Sequence, residues 1–377
     1  MNPSVGEALP QLRAAIREAT DGLVEREQLA ELMMLGAVAG EHLLVVGPPG
    51  TGKSAVVRRV AASLGGNYFE YLLGRFTEPS ELFGPVNLGK LREGLVETDT
   101  GGMLPEADIA FLDEVFLGST AILNTLLGIL NERQFRRGHT RLQCPLRICV
   151  GAANGLPEDE GLAAFADRFL LHTFVEPVAD NRLEDLLAGG WEVGKQTITP
   201  LAGMERLDVL CAAVPGVDMA AVRPALAHAV RQLRQAGVAL SDRRIVRSQR
   251  LVAAAAVLAG RAQASSADLW PLLFAIPTAA GQASGREALR EILAESSHPL
   301  LHSVTEQTAA TPQARLARLV EEADRLLEAT GDGSGAKPPR EQVEALLREI
   351  DANFDPAQLP AGLAEQRAKL ASSMSWA

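Results

Sequence analysis

Residues 47–54 read Gly47-Pro48-Pro49-Gly50-Thr51-Gly52-Lys53-Ser54, which matches the phosphate-binding pattern G-x-x-x-x-G-K-[ST] at every fixed position. An apolar run at 43–46 precedes the loop as a buried strand would, and residues 55–64 follow with helical spacing. Strand, glycine-rich loop and helix thus come in the order that phosphate binding requires. The competing interpretation is a chance glycine turn between a strand and a helix.

The chemistry of this loop points to a nucleotide and a metal ion. Its glycines allow backbone N–H groups to face one concavity, where they and the helix N-terminus favour a phosphate anion. We expect Lys53 to reach the β- and γ-phosphates and Ser54 to place its hydroxyl on Mg²⁺. ATP and Mg²⁺ are the predicted cofactors.

The composition sets limits on partners and on location. A chain of 377 residues with 47% hydrophobic residues is expected to fold into two or three domains. Its net charge of −11 argues against a general affinity for nucleic acid. The three cysteines form no C-x-x-C pair and no signal peptide is recognised, so we predict a reducing, cytoplasmic location. The longest strongly apolar run, 251–259, is far shorter than the ~20 residues of a membrane span.

Alternation of short apolar strands with helix patterns across residues 42–176 predicts an α/β fold, in which a parallel five-stranded sheet is flanked by helices. Two helices are expected before it, across 5–39, and an all-helical domain after it, across 204–283. Residues 331–339 have linker composition and separate two amphipathic helices near 311–329 and 340–353. We therefore divide the chain into a core (1–190), a helical lid (191–300) and a helical C-terminal extension (301–377). The five strands are expected near 43–46, 68–72, 109–112, 147–151 and 169–174.

Two carboxylates end one of the predicted strands. The strand at 109–112 runs into Asp113 and Glu114, and parallel sheets of this kind bind ligands at the carboxyl ends of their strands. Asp113 would hold Mg²⁺ through its water shell, and Glu114 would polarise an attacking water. The alternative is an acidic strand end that is simply solvated. Nucleotide contacts are thus predicted at Gly47, Pro48, Pro49, Gly50, Thr51, Gly52, Lys53, Ser54, Ala55 and Asp113.

Two further polar residues lie beside predicted strands. Asn154 follows the strand at 147–151 and could orient water or sense the γ-phosphate, or it could only end the strand by its turn preference. Arg168 precedes the last strand, and an arginine supplied in trans can stabilise charge on the γ-phosphate. Its alternative is a surface pair with Asp167. Residues 134–142 resemble a basic hairpin that turns at Gly138-His139, either solvated or an interface.

Taken together, these residues resemble the AAA+ ATPases, specifically the MoxR family in its RavA-like branch. The resemblance covers roughly residues 23–277. It rests on an ordered set of motifs: the loop at 47–54, FTEPSELFGP at 76–85, FLDE at 111–114, ILNTLL at 122–127, NERQF at 131–135, Asn154, Asp167-Arg168, and SDRR at 241–244.

The resemblance implies a homo-oligomeric ring, usually a hexamer, with nucleotide at each subunit interface. In that ring Arg168 would be the finger that reaches a neighbour's γ-phosphate, and Arg243 the sensor 2 arginine of the lid, with Arg244 as the alternative. The family's helix-2 insert would correspond to 78–105 and its pre-sensor hairpin to 133–146, both facing the working surface of the ring.

The resemblance also implies a function: chaperone-like remodelling or activation of a client protein, together with a partner that contains a von Willebrand factor A (vWA) domain. The chain departs from the RavA-like pattern after the lid, where only about eighty residues follow and no β-rich module is recognised. That tail could dock on a subunit or partner, or serve as a solubilising tail. Two other functions stay open: a DNA-associated AAA+ motor or helicase loader, and a nucleotide-switched scaffold without turnover.

Overall fold

A computed structural model gives the fold. It describes residues 3–196, 198–294, 296, 298–309 and 361–374, together with the single positions 319, 323, 327, 343, 346, 347, 350 and 359.

Five parallel strands form the central sheet, as predicted from the alternation of apolar runs and helix patterns. Every predicted strand is present: β1 and β2 have the predicted limits, and the ends of the other three are shifted by at most two residues. The strands of the sheet are β1 Leu43–Val46, β2 Tyr68–Leu72, β3 Ile109–Asp113, β6 Ile148–Ala153 and β7 Leu171–Phe174, and the separate antiparallel hairpin consists of β4 Gln134–Arg137 and β5 Thr140–Gln143.

The order of strands in the sheet is β2-β3-β6-β1-β7. The strand that carries the glycine loop, β1, therefore lies between β6 and β7, and β3 lies on the other side of β6. In the register, Val46 pairs with Ala153 and Leu112 pairs with Gly151. The carboxyl ends of β1, β6 and β3 consequently meet at one edge of the sheet, which we call the loop edge.

Helices surround the sheet. Those of the core are α1 Pro3–Thr20, α2 Glu27–Ala39, α3 Lys53–Leu64, α4 Pro79–Phe83, α5 Leu88–Arg92, α6 Thr120–Glu132, α7 Glu160–Ala166 and α8 Leu183–Val193. Those that follow are α9 Met204–Ala213, α10 Arg223–Gln235, α11 Asp242–Leu258, α12 Pro271–Phe274, α13 Ala279–Ala288, α14 Arg290–Ala294 and α15 His302–Ala309. The predicted pair before the sheet, with its break near Gly22, corresponds to α1 and α2.

One face of the sheet shares a hydrophobic core with the helical lid. Val45 of β1, Phe111 of β3 and Val150 of β6 belong to the same buried cluster as Leu251 of α11 and Trp270 before α12. The N-terminal helices α1 and α2 lie in this cluster too and contact α9 and α11. The lid is thus packed onto the core across these two helices. The apolar surface buried there stabilises this packing, because such burial is the main favourable contribution to folding.

The other face of the sheet anchors the hairpin. Phe135 of β4 is fully buried and stacks on Phe83 of α4 with ring centroids 5.6 Å apart. The region that the family resemblance assigned to the helix-2 insert contains α4, α5 and a bridge between Val86 and Thr98. This region lies against the hairpin, and the His139 N–H donates a hydrogen bond to the Val96 carbonyl at 2.8 Å.

A third, separate apolar cluster involves the C-terminal region. Leu363 and Leu370 of the helix Ala361–Met374 pack in it with Leu319, Val343 and Ile350. The predicted helices near 311–329 and 340–353 lie mostly outside the described residues, and the predicted linker at 331–339 lies entirely outside them. The described positions favour packed helices over a purely solubilising tail.

No helix in the described part of the chain has the length and apolar character needed to cross a lipid bilayer.

Candidate nucleotide site

The glycine loop has the backbone shape that its sequence predicts. Gly50 and Gly52 have φ of 79° and 78°, in the left-handed region that favours glycine. Gly47 is required for a different reason, since a Cβ there would lie 2.2 Å from the Val175 carbonyl oxygen. The loop ends at Lys53, where α3 begins. The first backbone N–H groups of that helix have no intrahelical partner, so they are available to an anion.

Lys53 is held inside the loop. Its Nζ donates to the carbonyls of Gly47 at 2.6 Å and Pro48 at 2.9 Å. Burial lowers the pKa of Lys53 from its ordinary value, and the nearby carboxylates of Asp113 and Glu114 oppose that shift. The loop lysine and both strand-end carboxylates therefore share one electrostatic environment.

Asp113, Glu114 and Asn154 come together at the loop edge. The Glu114 backbone N–H donates to Asp113 Oδ1 at 3.0 Å, and Asn154 Nδ2 donates to Glu114 Oε1 at 2.5 Å. Glu114 has a φ of 50°, an uncommon backbone conformation for a residue other than glycine. Non-glycine residues held this way cluster at functional sites. The polar residues predicted from the ends of two strands, β3 and β6, thus form one connected group.

Arg26 is a component that the sequence analysis missed. It is 6% exposed and lies just before α2. Its Nε donates to the Thr51 carbonyl at 2.7 Å, and one terminal nitrogen donates to the Glu176 carbonyl at 2.9 Å. One guanidinium therefore joins the N-terminal segment, the glycine loop and the segment after β7. No spacing or motif marks it in the sequence.

Arg168 and Arg243 lie elsewhere, at the amino ends of the strands. Arg168 precedes β7, and Arg243 donates to Asn131 Oδ1 at 2.7 Å at the end of α6. The neighbouring Arg133 donates to the Gly40 carbonyl, just before β1. At ~3.3 Å per residue, the four residues of β1 separate this side from the glycine loop by ~13 Å. The structure therefore does not bring the two arginines to the phosphate site of their own chain.

Arg244, the alternative lid arginine, has a structural role. It is 3% exposed, and its Nε donates to Asp167 Oδ1 at 2.6 Å. Its other nitrogens donate to the carbonyls of Phe169, Leu170 and Ala275. Arg243 is about one-third exposed and lies 3.9 Å from the same Asp167 carboxylate. Arg243 is thus the lid arginine with capacity to meet a further anion.

We expect alanine substitutions of the two lid arginines to lower the free energy of unfolding by different amounts. Arg244→Ala should lower the free energy of unfolding by ~3 kcal/mol, because it leaves buried carbonyls and a partly buried carboxylate unpaired. Arg243→Ala should cost less than ~1 kcal/mol, since its ion pair is solvated. Chemical denaturation followed by circular dichroism measures both. Equal losses in the two variants would contradict the structural role of Arg244.

The residues at the loop edge fit a Mg²⁺-bound nucleoside triphosphate. The glycine loop has no room for a side chain at Gly47, whereas a Cβ added at Gly50 would meet nothing within 4 Å. Lys53 supplies a cation, Ser54 a hydroxyl beside it, and Asp113 a carboxylate, and such oxygen donors are the ligands that Mg²⁺ prefers.

A parallel sheet with this strand order, a phosphate loop after β1, an acidic pair after β3 and an all-helical lid define the AAA+ ATPase fold. A family profile described as the MoxR domain in the MoxR-vWA-beta-propeller ternary systems matches residues 10–211. A second profile, the AAA lid domain, matches residues 219–284. The chain belongs to the MoxR family of AAA+ ATPases.

Several known proteins are similar to this chain. An uncharacterized protein of Methanocaldococcus jannaschii is 35% identical, over 67% of this chain and 68% of its own length. The protein named Chaperone MoxR1 of Mycobacterium tuberculosis is 28% identical, over 42% of each chain. A crystal structure from Cytophaga hutchinsonii, described as a candidate ATPase, superposes with a TM-score of 0.63 at 17% identity, over 78% of this chain and 97% of that chain. At that identity the last likeness supports the fold alone.

Proposed function

We propose that the protein is a Mg²⁺-dependent ATP hydrolase that works as a ring and remodels or activates a client protein. The observation that carries this proposal is the joining of Lys53, Asp113, Glu114 and Asn154 at one edge of the sheet. A nucleotide switch without turnover would need the lysine and the metal-anchoring carboxylate. It would not need a second carboxylate held by an amide at the same edge.

The residues divide the work of hydrolysis as follows. Lys53 would bind the β- and γ-phosphates, and Ser54 and Asp113 would hold Mg²⁺, whose charge would offset that of the phosphates. Glu114 accepts a hydrogen bond from the attacking water and draws its proton away from the nucleophilic oxygen. Asn154, hydrogen-bonded to the Glu114 carboxylate, keeps that carboxylate at the loop edge. Gly47 through Ala55 enclose the phosphates.

The ring completes the site. Arg168 and Arg243 cannot reach the phosphates of their own chain, and both lie on the side of the sheet opposite the glycine loop. Arg168 Nε is buried with no hydrogen-bond partner among the described residues. A neighbouring subunit that places its loop edge against this side would supply a phosphate to both arginines, and head-to-tail contacts of this kind close into rings. By family resemblance we propose a homo-hexamer.

The family profile suggests the partners. Its description refers to ternary systems of MoxR, vWA and β-propeller proteins, so we propose a vWA-domain protein as partner and a β-propeller protein as a further component. The family profile does not confirm the RavA-like branch, which stays a prediction from the sequence motifs. We also propose a cytoplasmic location, because the sequence has three cysteines and no C-x-x-C pair.

The test is phosphate release by the purified full chain. The wild-type protein should release phosphate from ATP only with Mg²⁺, and Lys53→Ala should lose both turnover and binding of a fluorescent ATP analogue by at least ~100-fold, because the phosphates lose their only loop cation. Lys90→Ala, at an exposed lysine of α5, is the matched control. A wild-type chain that binds ATP and assembles but does not turn it over would instead support a nucleotide-switched scaffold.

A further inference from the structure

The short segment that carries Arg168 is held by the core. Residues 167–170 connect α7 to β7. Phe169 and Leu170 are buried, and the Phe169 ring meets the Phe165 ring edge to face with centroids 5.8 Å apart. The first three N–H groups of the segment donate to carbonyls in the last turn of α7. Helix and ring contacts therefore fix this segment from the core.

The lid holds the same segment through Arg244. Its Nε donates to Asp167 Oδ1 at 2.6 Å, and its two terminal nitrogens donate to the carbonyls of Phe169 at 2.9 Å and Leu170 at 3.0 Å. One guanidinium thus contacts three of the four residues of the segment, and the fourth is Arg168. Because the donors of a guanidinium have a fixed planar geometry, the orientation of Arg244 determines where these three residues lie.

Arg244 is itself fixed within the lid, whereas Arg168 is not fixed by its own side chain. Arg244 is 3% exposed, lies in the first turn of α11, and also donates to the Ala275 carbonyl at the end of α12 at 2.7 Å. In the described part of the chain Arg168 forms no ion pair, and its Nε has no hydrogen-bond partner there. The place of the Arg168 side chain is therefore set by its neighbours in the chain, which Arg244 holds.

We propose that Arg244 is a positioning residue for Arg168, so that the lid of each subunit places the arginine that meets its neighbour's γ-phosphate. This role rests on the proposed ring, in which Arg168 acts in trans. It gives Arg244 a part in hydrolysis besides its part in stability. A lysine at position 244 keeps the charge and a contact with Asp167, but it lacks the planar set of donors that binds both carbonyls.

Arg244→Lys should lower turnover at least ~10-fold while ATP binding stays nearly unchanged, because a displacement of about 1 Å in a catalytic group is enough for a loss of this size. Phosphate release and binding of a fluorescent ATP analogue measure the two effects. Arg261→Lys is the matched control. This lid arginine lies beyond the other end of α11 and donates to the buried Asp268 at 2.7 Å, so its replacement should cost stability without a comparable loss of turnover.

Mixing experiments assign Arg244 to one side of the subunit interface. Each interface of the proposed ring combines the loop edge of one subunit with the Arg168 side of the next. Arg244→Lys mixed with Glu114→Gln should recover phosphate release in part, since some interfaces join an intact Glu114 to a correctly placed Arg168. Arg244→Lys mixed with Arg168→Ala should stay inactive, because every interface lacks a correctly placed Arg168. A purely structural role of Arg244 does not predict this difference.

The reverse pattern would overturn the proposal, since rescue of Arg168→Ala by Arg244→Lys requires an Arg168 that is correctly placed without Arg244. Inactivity of both mixtures, with both subunits present in the rings by native mass spectrometry, would overturn it as well. If Arg244→Lys does not assemble, Asp167→Asn, which removes the charge that Arg244 Nε meets, replaces it in both mixtures with the same expected results. A wild-type chain without turnover would instead refute the proposed ATPase, and this role with it.

Discussion

Glu114→Gln is expected to reduce ATP hydrolysis by ~10²- to 10⁴-fold while ATP binding is retained. The carboxylate stands at the loop edge with Asn154 Nδ2 at 2.5 Å, on a backbone with φ of 50°. An amide of the same size keeps that position but cannot draw a proton from water, and general-base catalysis contributes ~10²- to 10⁴-fold. Lys53 and Asp113 are unchanged in this variant, so the phosphates and Mg²⁺ keep their ligands.

The measurement combines steady-state phosphate release with binding of a fluorescent ATP analogue. Glu205→Gln, in the exposed first turn of α9, is the matched control and should behave as the wild type. Hydrolysis at the wild-type rate in Glu114→Gln would remove this residue from the proposed chemistry. Loss of binding together with turnover would show that the substitution acts on the nucleotide cradle instead.

Arg168→Ala should lower turnover by ~10³-fold or more and leave nucleotide affinity nearly unchanged. Arginine fingers contribute ~10³- to 10⁵-fold to hydrolysis, and the ~13 Å of β1 between this side of the sheet and the glycine loop excludes a contribution to ATP binding in its own chain. Arg182→Ala, at an exposed arginine that forms an ion pair with Asp185 three residues away, is the control.

Mixing the two inactive variants tests whether the arginine acts in trans. A ring of Arg168→Ala and Glu114→Gln subunits contains interfaces where an intact Glu114 faces an intact Arg168, so phosphate release should return in part. Rescue must depend on the mixing ratio and be absent from each variant alone. A mixture that stays inactive although the subunits co-assemble would refute a shared site.

The sequence was sufficient for the loop edge because each of its parts is local. An apolar run followed at once by a polar residue identifies Asp113, Glu114 and Asn154, and parallel strands bring such ends to one edge whatever the exact strand limits. The observed limits of the last strand also differ from the predicted limits for a physical reason. The last strand begins at Leu171 and not at residue 169, because the carbonyls of Phe169 and Leu170 are engaged by Arg244.

Contacts between distant segments were not accessible in this way. Arg26 joins residues 25 and 150 positions away, and no periodicity encodes such a contact. The choice between Arg243 and Arg244 likewise depends on which of two adjacent side chains points into the junction of core and lid. The orientation of α11, which tertiary packing fixes, determines which of the two arginines points there. The local pattern SDRR does not determine it.

The Arg26 guanidinium couples two distant segments of the chain. One guanidinium binds both the Thr51 carbonyl and the Glu176 carbonyl. The glycine loop and the segment that follows β7 are therefore attached to the same side chain. Because the Arg26 guanidinium donates directly to both carbonyls, a displacement of the glycine loop would also move the segment after β7.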